Sequence, residues 1–215
     1  MTAARIGLYG GSFDPPHRAH LTLARTALEQ LRLDELLWLP AGRPWQKARR
    51  LAPADDRAAM LRLLIAGEPR FALDERELHR AGPSYTIDTL RELRAERPQA
   101  RFFLVLGQDQ YAGLPTWRDW PAVLEAATLA VAGRAGEAVH AAPEVAARSP
   151  RVERLAMPPM DLSSSAIRAH LAAGGTAREL APAMVSPEVA SYIDSRRLYR
   201  PTVADSGAHG APARS

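Results

Sequence analysis

At 215 residues, 47% of them hydrophobic and 24% charged, the chain is long enough for one sizeable α/β core and has ordinary globular composition. It contains no cysteine, which excludes disulfides and cysteine-ligated zinc or iron–sulfur sites and agrees with a reducing compartment. The net charge of +4 comes from arginines scattered among Asp and Glu, with residues 47–50 the one short basic cluster, so phosphate handling is expected and a nucleic-acid partner is not.

Short apolar runs alternate with segments of helical period, the pattern of a parallel sheet covered on both faces. The first run, residues 6–9, leads into Gly10-Gly11, and the helix that follows places Leu21, Ala24, Leu28 and Leu31 on one face. Further strands are expected at 36–39, 71–73, 102–106, 128–132 and 152–156. A second helix is expected from near Pro53, with Asp55 and Asp56 complementing its dipole, to Gly67. A third spans 86–97 and ends before Pro98. Two more follow the last strand, at 164–173 and 187–195. The expected architecture is a Rossmann-like, doubly wound parallel sheet with helices on both faces and a small C-terminal helical extension. It occupies residues 1–200, and 201–215, rich in Ala, Gly, Pro and Ser, reads as a disordered tail. No run approaches the roughly 20 apolar residues of a membrane span and no signal peptide is apparent, so a cytoplasmic protein without a membrane partner is expected.

In such a sheet ligands bind beyond the carboxyl ends of the strands. That rule brings together residues 10–20, 40–47, 107–117 and 133–134, with 163–168 able to join them. Glycine at 10 and 11 lets backbone approach a ligand closely. His17 and His20, three apart, share one face of the first helical turn, where unpaired N–H groups already favour an anion. The physical reading is a phosphate site; two histidines that only cap the helix, or that hold a metal, are the alternatives.

At these residues the chain resembles the HxGH nucleotidyltransferase superfamily. Residues 10–20 are similar to its G-G-T-F-D-P-x-H-x-G-H signature, with Ser12 for Thr and Ala19 for Gly. Residues 162–168 resemble I-S-S-T-x-I-R, and Gly107-Gln108-Asp109 with Leu114 and Trp117 resembles G-x-D…L…W. Within the superfamily, Pro83-Ser84-Tyr85-Thr86 and Pro115-Thr116-Trp117 resemble the bacterial nicotinate-nucleotide adenylyltransferases. The resemblance implies adenylyl transfer from ATP to nicotinate mononucleotide, giving deamido-NAD and pyrophosphate. Alternatives are nicotinamide mononucleotide or pantetheine phosphate as acceptor, or a non-catalytic nucleotide-binding module.

The resemblance also distributes roles. His17, His20, Lys47 and Arg168 would carry catalysis by holding phosphates. Gly10, Gly11, Ser12 and Phe13 would bind ATP from the first loop, Gly107 and Asp109 its ribose, Ser164 and Ser165 with Arg168 its β- and γ-phosphates, and Ser163 and Ile167 would complete the ATP-binding set. Tyr85, Thr86, Trp117, Arg118 and Arg134 would meet nicotinate mononucleotide: Trp117 by stacking, Thr86 as a donor to the carboxylate. Tyr85 reads equally as packing, Asp109 as a turn carboxylate and Arg168 as part of a solvated helix face. Trp45, Trp120 and Tyr111 read as structural or gating residues. Mg²⁺ would arrive on the ATP phosphates, with no protein metal ligand.

Overall fold

The computed structural model describes residues 3–42, 51–133, 139–148 and 150–201. In chain order the elements are β1 (Arg5–Gly11), α1 (Arg18–Gln30), β2 (Glu35–Pro40), α2 (Ala54–Ile65), β3 (Phe71–Leu73), α3 (Arg76–His79), α4 (Thr86–Glu96) and β4 (Arg101–Gly107). They continue with α5 (Gln108–Ala112), a 3₁₀ turn (Leu114–Thr116), α6 (Trp120–Ala126), β5 (Thr128–Ala132), α7 (Pro143–Ala146) and β6 (Val152–Leu155). The chain closes with α8 (Ser164–Ala172), a 3₁₀ turn (Arg178–Leu180) and α9 (Pro187–Arg196).

All five strand pairings are parallel, in the order β3-β2-β1-β4-β5-β6. The order reverses between β1 and β4, which is the switch point where such sheets open a crevice at their carboxyl ends. Successive strand residues point to opposite faces, and the core divides accordingly. On one face Tyr9, Leu36, Trp38, Phe103 and Val105 pack with α1, α2, α8 and α9. On the other, Ile6, Leu8, Leu37, Leu39, Phe102, Leu104 and Leu106 pack with α4, α5 and α6. The expected α/β class and both-face coverage are what the structure has.

Asp56 has a second role besides the expected one. It sits in the first turn of α2, but its carboxylate is buried and accepts from Tyr192 Oη at 2.8 Å and Arg196 Nε at 3.0 Å, tying α2 to α9. Residues 202–215, nearly all of the expected tail, lie outside the described residues. Among the described residues no helix is long and apolar enough to cross a membrane.

Candidate active site

β1 runs through Gly10 and Gly11 into a turn with Phe13 at φ 46 and a cis Asp14-Pro15 bond. The turn delivers His17 as the residue capping the N-terminus of α1. The His17 N–H donates to His20 Nδ1 at 3.1 Å, and the two imidazoles stack with centroids 3.7 Å apart. Because Nδ1 accepts that bond, His20 carries its proton on Nε2 as a donor. Phe13 is not a surface contact: it is buried against Tyr9 and Trp38, and its ring meets His20 edge-on at 5.2 Å. Only its backbone can touch a ligand, while its ring fixes the His20 imidazole.

His17 is buried, and burial pushes its imidazole down to about 4. It is therefore neutral at neutral pH, and its Nδ1 is a buried nitrogen without a hydrogen-bond partner among the described residues.

The segment at 163–168 does join this loop. Ser163 caps α8, its Oγ accepting from Ala166 N at 3.1 Å. Ser164 Oγ donates to Pro15 O at 2.8 Å, and Arg168 donates to Asp14 O at 2.6 Å and to Ser165 Oγ at 3.0 Å. The start of α8 is thereby tied to the loop that leads into α1, and both helices begin with anion-favouring N-termini. Ile167 is fully buried in the core, so its side chain anchors α8 and is not available to a nucleotide.

Beside the histidine loop lies a cavity at the ends of β1, β2 and β4. Gly10, Gly11 and Ser12 line it together with Tyr85, Thr86, Trp117 and Arg118, which unites the expected ATP loop with the expected acceptor residues. Thr86 opens α4, and Arg118 rests its guanidinium 4.7 Å over the Tyr85 ring. Gly107 caps α5, its N–H donating to Gln110 Oε1 at 3.2 Å, and Asp109 sits exposed in the first turn of that helix. Lys47, Arg134 and Trp45 lie outside the described residues. Tyr111 is buried in the core, and Trp120 lies under the Arg148 guanidinium at 5.2 Å, so both are packing residues.

Several lining residues escaped the sequence. Glu77 is buried, its carboxyl pushed up by that burial, and it accepts from Thr89 Oγ1 at 2.8 Å. Ser84 donates to Glu77 O at 3.2 Å, and Gln110 also faces the cavity. Glu77 belongs to α3, a four-residue helix with no periodic signal, so only tertiary structure reveals it. Among the described residues no group of three or more His, Asp or Glu side chains could hold a metal ion.

The cytidylyltransferase-like family model matches residues 8–170, which spans the histidine loop, the cavity and α8 up to His170. A protein of Methylibium petroleiphilum named probable nicotinate-nucleotide adenylyltransferase is 57% identical over 197 residues, covering 92% of this chain and 93% of that one. A protein of Chromobacterium violaceum with the same name is 42% identical, covering 92% and 99% respectively. A Plasmodium falciparum nicotinic acid mononucleotide adenylyltransferase complexed with NaAD superposes with a TM-score of 0.76 over 91% of this chain and 97% of that one. At 20% identity, that likeness speaks to the fold alone. Identity and coverage of this extent settle the family: the chain belongs to the cytidylyltransferase-like family and, within it, to the nicotinate-nucleotide adenylyltransferases.

Proposed function

We propose that this protein transfers the adenylyl group of ATP to nicotinate mononucleotide, forming deamido-NAD and pyrophosphate for NAD biosynthesis. The observation that carries the reading is a juxtaposition. Ser164 and Arg168 of α8 hydrogen-bond the Asp14-Pro15 backbone that leads into α1, and the cavity lined by Thr86, Trp117 and Arg118 opens against the Gly10–Ser12 backbone of the same loop.

The acceptor's 5′-phosphate attacks the α-phosphorus of ATP in line as the bond to the bridging oxygen breaks and pyrophosphate leaves. A phosphate monoester has its second pKa near about 6, so the nucleophile is already ionised and needs no base. That agrees with a neutral His17 and with a His20 whose Nδ1 is committed to a backbone N–H. Both histidines then act as hydrogen-bond donors to phosphate oxygens, His20 through Nε2, where charge grows in the transition state. Ser164, Ser165 and Arg168 hold the β- and γ-phosphates, and Lys47 supplies a further cation. Gly107 and Asp109 take the adenosine ribose. Mg²⁺ carried by ATP would offset the negative charge of its phosphates. Trp117 stacks on the pyridine ring, and Thr86 with the first-turn amides of α4 receives its carboxylate. A reaction of this kind, on soluble nucleotides, belongs in the cytoplasm.

The acceptor assignment is tested by assaying nicotinate and nicotinamide mononucleotides with ATP. Replacing the carboxylate by an amide removes a charge-assisted hydrogen bond worth about 1.5–3 kcal/mol, so kcat/KM should fall by at least about tenfold. Equal efficiencies would refute the nicotinate assignment.

A further inference from the structure

Behind the histidine loop lies a polar network that takes no part in the chemistry described above. Asp14, between the strained Phe13 and Pro15, is fully buried. Its Oδ1 accepts from Ala52 N at 3.1 Å and from Tyr199 Oη at 2.8 Å. Beside it Arg57, 1% exposed, donates to Ser12 O at 2.9 Å, Ala52 O at 3.2 Å and Gly42 O at 3.5 Å. One carboxylate and one guanidinium thus hold three separate stretches of backbone: the turn after β1, the end of β2 and the start of α2. Tyr199 arrives from beyond α9, 185 residues away in sequence.

The link to the phosphate site is direct, because the Asp14 whose side chain Tyr199 holds is the residue whose carbonyl accepts from Arg168. Burial, then the Asp14 carboxylate, push the Tyr199 phenol well above its ordinary value, so it is a permanent donor. Without the Tyr199 hydroxyl the buried Asp14 carboxylate is left short of a donor, and the backbone it sits on is the one that accepts from Arg168 and leads through Pro15 and Pro16 into His17.

We propose that Tyr199 is a positioning residue for the triphosphate site, acting through Asp14 with Arg57 as the third member of the network. The proposal rests on the ATP-dependent reading of the site. It makes the segment after α9, which lies beyond the stretch matched by the family model, part of the active site's scaffold.

Tyr199→Phe keeps the ring and removes one hydroxyl. The control is Tyr192→Phe, which also deletes a 2.8 Å hydroxyl–carboxylate bond from the C-terminal region, but to Asp56 of α2 and not to Asp14, whose carbonyl accepts from Arg168. The measurements are the melting temperature, the KM for ATP and for nicotinate mononucleotide, and the calorimetric Kd of a non-hydrolysable ATP analogue without acceptor. Tyr199→Phe should raise the KM for ATP and the analogue Kd by about fivefold or more, below the hundredfold that an ångström of misplacement costs. It should leave the acceptor KM unchanged. Tyr192→Phe should lower the melting temperature and leave all three constants unchanged. Unchanged ATP constants in Tyr199→Phe, an equal rise in both KM values, or the same rise in Tyr192→Phe would each overturn the proposal. Analogue binding needs no acceptor, so a failure of the proposed reaction and a failure of Tyr199's role are separate results.

Discussion

Stability should depend on pH through His17 in a way that one substitution removes. Burial holds the folded imidazole at about 4, against 6.5 for an unperturbed histidine. The unfolded chain therefore takes up a proton below about pH 6.5 that the folded protein refuses, and folding stability falls as pH falls through that window. The full penalty is about 3 kcal/mol, reached only below pH 4. Between about pH 7 and pH 5 the loss is about 2 kcal/mol, large against the roughly 5–15 kcal/mol total of a typical domain. Urea unfolding at these two pH values, on the nucleotide-free protein, measures it. His17→Asn retains a residue suited to the helix N-terminus and removes the titrating group, so its stability should change by about 2 kcal/mol less over the same interval. Identical pH dependence in the two proteins would refute the burial argument and with it the neutral state assigned to His17.

Two further substitutions probe the site. A Cβ at Gly42 would stand 2.1 Å from Glu77 O, a backbone atom that cannot swing away. Gly42→Ala should therefore cost about 1–3 kcal/mol in urea unfolding and raise the acceptor KM by displacing the Glu77–Ser84 side of the cavity; a variant of parental stability would contradict this packing. Arg168→Lys keeps the charge but loses the planar fork that reaches Asp14 O and Ser165 Oγ together. Its KM for ATP should rise about tenfold or more at unchanged acceptor KM, and parental kinetics would show that charge alone suffices.

The parts of this molecule legible in its sequence are those governed by local pattern. Most strands are legible because buried parallel strands read as apolar runs, such as Leu36–Leu37–Trp38–Leu39 and Phe102–Phe103–Leu104–Val105–Leu106, whereas edge strand β6, with Glu153 and Arg154 exposed, is marked only by Val152 and Leu155. The long helices followed from period and punctuation. The short helices α3, α5, α6 and α7 did not, since four to seven residues carry too little period to detect and are held by tertiary contacts. The site divides along the same line. His17, Ser164 and Arg168 stand out by residue type at element ends, whereas Phe13 and Ile167 share those motifs yet face the core. Glu77, Arg57 and Tyr199 carry no motif at all. Their roles depend on bonds between residues far apart in the chain, which no single stretch of sequence displays.

The most direct test of the whole account is a product assay. The purified protein is incubated with ATP, Mg²⁺ and nicotinate mononucleotide, and pyrophosphate and dinucleotide are quantified together. The arrangement of the two helix N-termini around one loop, with the acceptor cavity beside it, predicts equal molar amounts of pyrophosphate and deamido-NAD, with none of either when the mononucleotide is omitted. ATP bound without pyrophosphate release, whatever acceptor is added, would contradict adenylyl transfer and leave a nucleotide-binding protein in its place.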